Sequence, residues 1–166
     1  MKTLKLIVLL ICSLFGISGT AMADDNTCPG GTVGYQTVEG NLVVSGQDCL
    51  VKYATIKGDV IVDNLGFNSA FFVLKDTIVK GGVKVKGGQV LIDRSQIVTS
   101  NLSVVDTTSA LVTHTLLLKG NMVLTNNLEV LIYTNVVTFG DILCLDNIDP
   151  IGRPRVYATG NLVPFG

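Results

Sequence analysis

Side chains that could carry out acid–base or nucleophilic chemistry are sparse in this chain of 166 residues, of which only 15% are charged. His114 is the only histidine and lies in the sequence Val-Thr-His-Thr. A Ser-His-Asp triad requires a serine and an acid that converge on the imidazole, and the spacing identifies neither. We therefore predict that His114 is a surface histidine and that the protein does not use a triad.

Carboxylates form the other candidate site. Asp63, Asp76 and Asp93 recur along the middle of the chain, and Lys84 and Lys86 lie between the last two. Carboxylates beside basic groups are the minimum for binding a sugar acid or a calcium ion. These five residues are our hypothesis for a ligand site, with a glycan as its partner.

The N-terminus carries the features of a secretory signal peptide. Lys2 and Lys5 precede an apolar run over residues 6–17, and Ala21-Met22-Ala23 has the small-x-small pattern of a cleavage site. The run is shorter than the roughly 20 residues of a membrane-spanning helix, so we predict no transmembrane segment. The sequence predicts that residues 1–23 are removed and that residues 24–166 are exported to the periplasm or outside the cell.

Export changes the interpretation of the cysteines, because disulfides form in oxidising compartments. Cys28 and Cys49 both lie near the mature N-terminus and are predicted to pair, whereas Cys144 falls in an apolar segment and is predicted to be a buried free thiol. The chain has neither a Cys-x-x-Cys motif nor Cys/His spacing suited to zinc. We therefore predict no metal and no cofactor.

A repeat of about 20 residues organises the elements that must position these side chains. A small residue, usually followed by Asn or Asp, precedes alternating apolar residues seven times. The small residues are Gly40, Gly58, Gly81, Ser100, Gly120, Gly140 and Gly160. Each repeat contains short β-branched and aliphatic runs broken by turn-forming residues, and no stretch has helical periodicity.

One coil of a parallel β-solenoid fits this period. We predict an all-β, single-domain, right-handed parallel β-helix over residues 40–166, with about six to seven coils and an irregular N-terminal cap at residues 24–39. An antiparallel sandwich also has short strands and frequent turns, but it requires no fixed period. Stacking of the coils would place equivalent side chains above one another, about 4.8 Å apart.

Equivalent positions form three kinds of column. Two apolar columns are predicted to face inward: Leu42, Val60, Val83, Leu102, Met122, Ile142 and Leu162, and Val44, Val62, Val85, Val104, Leu124, Cys144 and Pro164. Later in the coil, Val90, Ala110 and Val130, together with Ile92, Val112 and Ile132, form a similar pair. A polar column is predicted to cap turn amides: Asn41, Asp59, Asn101, Asn121, Asp141 and Asn161.

The third kind of column is apolar yet predicted to face outward. Alternation in a strand directs Leu91, Leu111, Leu131 and Ile151 away from the core, unless this strand has the opposite parity. Contiguous apolar surface usually marks a site of association. We predict that these residues bind a second copy of the chain or an envelope or matrix partner. A net charge of -1 argues against nucleic acid as that partner.

The stacked Gly-Asn-apolar motif of residues 40–166 resembles the right-handed parallel β-helix class, which includes pectate-lyase-like enzymes, autotransporter passengers and the bactofilins. The resemblance implies architecture alone, because no catalytic motif of the enzymes matches and their long cleft-building loops are missing. We expect a non-enzymatic, exported structural or interaction protein. The alternative is a carbohydrate-binding or polysaccharide-degrading β-helix.

Overall fold

Short runs of Val, Ile and Leu between Gly, Asn and Asp form strands throughout the part of the chain that can be described. The computed structural model describes residues 25–28, 30–66, 69–133, 136–138, 140–147, 156–159 and 163–164. All regular elements in these ranges are strands of two to five residues. The strands form three parallel sheets, A, B and C, and each sheet has seven strands among the described residues.

Sheet A consists of β1 (Asn26–Cys28), β4 (Leu42–Ser45), β7 (Val60–Asp63), β10 (Val83–Lys86), β13 (Leu102–Val105), β16 (Met122–Thr125) and β19 (Ile142–Leu145). Sheet B consists of β2 (Gly31–Gly34), β5 (Cys49–Lys52), β8 (Phe71–Lys75), β11 (Gln89–Asp93), β14 (Ser109–Thr113), β17 (Val130–Tyr133) and β20 (Val156–Thr159). Sheet C consists of β3 (Thr37–Val38), β6 (Thr55–Ile56), β9 (Ile78–Val79), β12 (Gln96–Ile97), β15 (Leu116–Leu117), β18 (Val137–Thr138) and β21 (Val163–Pro164).

The register confirms the predicted solenoid. The chain passes from sheet A to B to C and returns to A, so each strand pairs with strands one coil away. Leu102 lies opposite Val83 on one side and Met122 on the other, and Met122 lies opposite Ile142. Equivalent side chains therefore form continuous columns along the stack of coils.

The core lies between the three sheets. The predicted inward residues of sheet A are buried from Leu42 to Met122 and from Val44 to Leu124, and those of sheet B are buried as well. Phe72 and Ile56 are among the largest fully buried side chains. The predicted columns also contain Leu162 and Pro164, and the side chains of these two residues lie outside the described part of the chain.

The predicted Asn/Asp column is confirmed as a ladder of hydrogen bonds at the corner between sheets C and A. Asn41 Oδ1 accepts from the Asp59 N–H at 2.8 Å, and Asn121 Oδ1 accepts from the Asp141 N–H at 3.0 Å. Each side chain thus satisfies an amide of the next coil, as a backbone carbonyl would. Asn161 lies outside the described residues.

Glycine precedes this ladder because the coils approach closely there. A Cβ at Gly120 would lie 2.7 Å from the Ser100 carbonyl carbon, and its φ of +95° favours glycine. A larger residue would therefore push the two coils apart.

A second ladder, which the sequence analysis did not predict, lies inside the corner between sheets A and B. Thr107, Asn127 and Asn147 are buried in three successive coils. Asn127 Oδ1 accepts from the Thr107 N–H at 2.9 Å, while its Nδ2 donates to the Val104 carbonyl at 3.0 Å. The buried amides of Asn127 and Asn147 are tolerated because the neighbouring coils satisfy them.

The structure differs from the prediction at the N-terminal end. Residues 24–39 were predicted as an irregular cap but contain β1, β2 and β3. These strands pair with β4, β5 and β6, the strands of the next coil in the same three sheets. Gly and Pro in this segment concealed the alternation, since each of the three strands buries only one side chain: Cys28, Val33 and Val38.

The predicted disulfide is confirmed. Cys28 at the end of β1 bonds to Cys49 at the start of β5, with 6.3 Å between their Cα atoms. Both residues are buried. The bond therefore ties the first coil to the second inside the core, where the first coil has few apolar side chains.

Cys144 corrects another prediction. It lies opposite Leu124, as the repeat requires, but it is exposed rather than buried. The reason is that β19 is the last strand of sheet A among the described residues, so no further coil of that sheet covers it. Partial burial nevertheless raises the pKa of its thiol.

The buried ladder should be costly to break. Replacing Asn127 by Leu leaves the buried Thr107 amide without its acceptor and removes the side-chain hydrogen bond to the Val104 carbonyl, so we expect a loss of about 3 kcal/mol in the free energy of unfolding. Urea denaturation measures this. Asn101→Ala, which removes one exposed hydrogen bond to the Asn121 amide, should cost about 1 kcal/mol. Equal losses in the two variants would contradict the ladder's importance.

Removal of the disulfide should destabilise the protein through the first coil. The 21-residue separation predicts a loss of about 3 kcal/mol in the Cys28→Ala/Cys49→Ala double variant. Thermal unfolding followed by circular dichroism measures the effect. The control is Cys144→Ser, whose exposed side chain should leave the unfolding temperature nearly unchanged.

Candidate functional site

An aliphatic column runs along the outer face of sheet B. Leu91 lies opposite Leu111, which lies opposite Leu131, and their chain neighbours Val90 and Ile92 are buried. The three leucines therefore face outward, and the opposite parity is excluded. Their side chains are partly exposed.

The column extends further toward the N-terminus than the sequence analysis predicted. Leu50 and Val73 occupy the same outward position in β5 and β8. At the other end the register places Tyr157 opposite Leu131, whereas Ile151 lies outside the described residues. The extra residues between β19 and β20 explain this shift, because they break the 20-residue period.

Two flanking columns border the aliphatic residues. In each coil two residues four positions apart lie on either side of the aliphatic side chain, and in β5 and β17 the first of the two directly precedes the strand. One flank consists of Asp48, Phe71, Gln89, Ser109 and Glu129, and the other consists of Lys52, Lys75, Asp93, Thr113 and Tyr133. Phe71 and Tyr133 are exposed aromatic residues that widen the apolar surface.

The five predicted ligand-site residues divide into two groups. Asp63, Lys84 and Lys86 lie on the outer face of sheet A, whereas Asp76 and Asp93 lie at the corner between sheets B and C. The five residues of β8 separate the two locations by roughly 16 Å. Linear spacing could not reveal this division, since it depends on where each coil turns.

On sheet A, the first group borders a shallow hollow of about 430 Å³. The hollow is lined by Ile61, Val62, Asp63, Lys84, Val85, Lys86, Ser103 and Val105. Lys84 Nζ lies 3.1 Å from Asp59 Oδ2 rather than pairing with Asp63. Burial alone would raise the pKa of Asp59, but the Gly82 N–H and Lys84 together outweigh it and lower that pKa.

At the other location, the corner between sheets B and C forms a ridge of large polar side chains. Tyr35, Tyr53, Asp76, Arg94 and His114 occupy equivalent positions in five successive coils, and all have φ between 46° and 55°. Such left-handed conformations cost energy for residues other than Gly, Asn and Asp. Their backbone amides nevertheless form hydrogen bonds between coils. The Tyr53 N–H, for example, donates to the Lys75 carbonyl at 3.2 Å.

Charges on the ridge neutralise one another. Arg94 Nε and Nη2 donate to the two carboxylate oxygens of Asp76 at 2.7 and 3.0 Å. Arg94 Nη1 also lies 3.4 Å from Asp93, and His114 Nδ1 lies 3.6 Å from the same carboxylate. The hydrogen bonds from Arg94 lower the pKa of Asp76 below its ordinary value. His114 is exposed, as predicted.

The first two residues of the ridge form an aromatic pair that the sequence analysis missed. The Tyr35 and Tyr53 rings are stacked with centroids 4.9 Å apart and an interplanar angle of 27°. The side chains are 77% and 48% exposed. The available signal was their separation of 18 residues, which equals the length of the first repeat.

Beside this pair lies a hollow of about 370 Å³, lined by the two tyrosines with Gln36, Thr37 and Thr55. Within the described ranges, no three His, Cys, Asp or Glu side chains lie close enough to hold a metal ion together. In the same part of the chain, no helix has the length and apolarity needed to cross a membrane.

The Asp76–Arg94 pair predicts a measurable pH dependence. In Arg94→Gln, the pKa of Asp76 should rise toward its ordinary value, as measured by carboxyl NMR titration. A lowered carboxyl pKa contributes stability above its unfolded-state value, and that contribution is lost as the pH falls through the folded-state value. The stability difference between parent and variant should therefore shrink in acid.

Lys84→Gln is the matched control for this titration. It removes the cation beside Asp59, so it should raise the pKa of Asp59 and leave that of Asp76 in place. An unchanged pKa of Asp76 in Arg94→Gln would contradict the importance of the pair.

Comparison of the chain with protein-family models, with curated proteins and with solved structures found no significant match. The function is therefore inferred from the geometry of the sheet B face and of the ridge.

Proposed function

We propose that the protein is an exported, non-enzymatic structural solenoid that binds a second copy of itself through the outer face of sheet B. The observation that carries this proposal is the aliphatic column of Leu50, Val73, Leu91, Leu111 and Leu131. Apolar surface of this length is costly to leave in water. Export is supported by the signal-peptide pattern and is compatible with the Cys28–Cys49 disulfide.

The flanking columns favour one arrangement of the two copies. A two-fold axis parallel to the solenoid brings each flank against the opposite flank of the other copy at the same coil. Lys52 then faces Asp48, Lys75 faces the ring of Phe71, and Tyr133 faces Glu129. These contacts combine opposite charges, a cation over an aromatic ring and a phenol beside a carboxylate.

The antiparallel arrangement is less favourable. A two-fold axis along the strands brings each flank against itself in reverse coil order, so that Asp93 faces Asp93 and Lys52 faces Tyr133. Like charges at an interface are repulsive. The parallel arrangement is therefore the one that we propose.

The size of the face sets the expected affinity. Five strands at about 4.8 Å and five residues at about 3.3 Å give roughly 400 Å² on each copy, well below the roughly 800 Å² of a standard interface. We therefore propose a reversible dimer that forms at high local concentration.

The alternative, a carbohydrate-binding or polysaccharide-degrading β-helix that uses the predicted acidic residues, has less support. Its carboxylates would be Asp63, Asp76 and Asp93, which lie in two places, and Asp76 is bound by Arg94 through two hydrogen bonds. An envelope or matrix partner bound at the sheet B face is the other outcome that the experiments below distinguish.

Sedimentation of the exported, purified protein tests self-association. Leu111→Lys places a charge at the centre of the aliphatic column, so we expect at least about a tenfold weaker dimer, because burying an unpaired charge is costly. Val123→Lys is the matched control, since Val123 has the equivalent outward position on sheet A. A parent protein that stays monomeric at millimolar concentration would refute the proposal and favour another partner.

Cross-linking tests the arrangement. In a Cys144→Ser background, a cysteine at Leu50 faces its own copy only in the parallel dimer, so Leu50→Cys should cross-link to itself. In the antiparallel dimer Leu50 would instead face Leu131. Cross-links that form only when Leu50→Cys and Leu131→Cys proteins are mixed would overturn the parallel arrangement.

A further inference from the structure

We infer that the stacked tyrosine pair and the adjoining hollow form a binding site for a neutral oligosaccharide. The site lies at the corner between sheets B and C, so it does not depend on the proposed dimer face. It also differs from the predicted ligand residues, because Tyr35, Tyr53, Gln36, Thr37 and Thr55 supply all of its lining.

Tyrosine is costly at these two positions of the backbone. Tyr35 and Tyr53 have φ of 55° and 51°, a region in which Asn, Asp and Gly are at least expense. Folding alone would be served better by those residues. Two adjacent coils therefore keep large aromatic rings at a position where the backbone disfavours them.

Both tyrosine rings are exposed to solvent. The rings stack on each other but remain 77% and 48% exposed, so their contact does not remove most of their apolar surface from water. An aromatic face with its negative quadrupole attracts the polarised C–H bonds on one face of a sugar ring. Stacking covers one face of each ring, so the outer face of the Tyr35 ring is the platform, and the Tyr53 ring beneath it holds that platform rigid at low entropic cost.

The side chains that line the hollow are polar and uncharged. Its other three side chains are one amide and two hydroxyls, which donate and accept hydrogen bonds as sugar hydroxyls require. None of the five lining residues is charged. Arg94, farther along the ridge, is bound to Asp76 and lies 3.4 Å from Asp93, so its charge is already compensated by carboxylates and does not attract an acidic ligand. A neutral sugar fits these groups better than an acidic one.

The volume limits the size of the ligand. About 370 Å³ accommodates one or two sugar rings. The open side of the ridge leaves room for a longer chain to continue into solvent. The ligand is therefore a short stretch of a neutral polysaccharide.

Isothermal titration calorimetry with cellohexaose, maltohexaose, xylohexaose and mannohexaose tests the proposal, with trigalacturonate as the acidic comparison. We expect at least one neutral oligosaccharide to bind and trigalacturonate to bind more weakly. Failure of all four neutral oligosaccharides to bind, or preference for trigalacturonate, would overturn the proposal.

Tyr35→Asn separates binding from folding. Asn removes the aromatic platform but suits the left-handed backbone, so we expect about a tenfold loss of affinity with an unchanged or higher unfolding temperature. A purely structural role for Tyr35 predicts the reverse: lower stability and unchanged affinity. Tyr35→Phe keeps the ring and should retain most of the binding.

His114→Asn is the matched control, because His114 occupies the equivalent ridge position four coils from Tyr35 and three coils from Tyr53. It should leave the affinity for the oligosaccharide unchanged. An equal loss in His114→Asn and Tyr35→Asn would show that the ridge as a whole, rather than the tyrosine hollow, governs binding, and would refute the proposed site.

Discussion

The parallel hydrogen bonding between successive coils is the constraint on which the rest of the structure depends. It fixes the coil spacing near 4.8 Å and brings each residue next to its equivalent in the coils on either side. A side chain must therefore pack against the equivalent side chains of the coils on either side as well as against its own coil. Aliphatic side chains satisfy this in the core, and Asn or Asp satisfies it at a corner because one side-chain oxygen reaches the next amide.

The three corners meet the constraint in different ways. Between sheets C and A, glycine allows close approach and the Asn/Asp ladder caps the amides. Between A and B, Thr107, Asn127 and Asn147 bond to one another inside the core. Between B and C, buried Thr77 and Ser95 hold the turn while the residue before each extends into solvent. This last corner combines a satisfied interior with large side chains outside, as the proposed oligosaccharide site requires.

Much of the fold was predictable because residues about 20 positions apart in the sequence are neighbours in adjacent coils. Leu102, Met122 and Ile142 are aligned in the sequence and adjacent in space for the same reason. The disulfide was predictable because both cysteines lie near the mature N-terminus. Two predictions failed for different reasons. The Gly-rich first coil has too little alternation to be told from an irregular cap, and Cys144 keeps the period but lies in β19, the last described strand of sheet A.

The sequence by itself determined the repeat, the inward columns and the aliphatic outer column, since these depend only on alternation and period. The tertiary structure alone decided which polar side chains meet. It separated Asp63 from Asp76 by a strand of sheet B, joined Asp76 to Arg94, and stacked Tyr35 on Tyr53. The physical reason is that a polar side chain's neighbours depend on where each coil turns and on the backbone conformation at that turn, and neither is set by hydrophobic pattern.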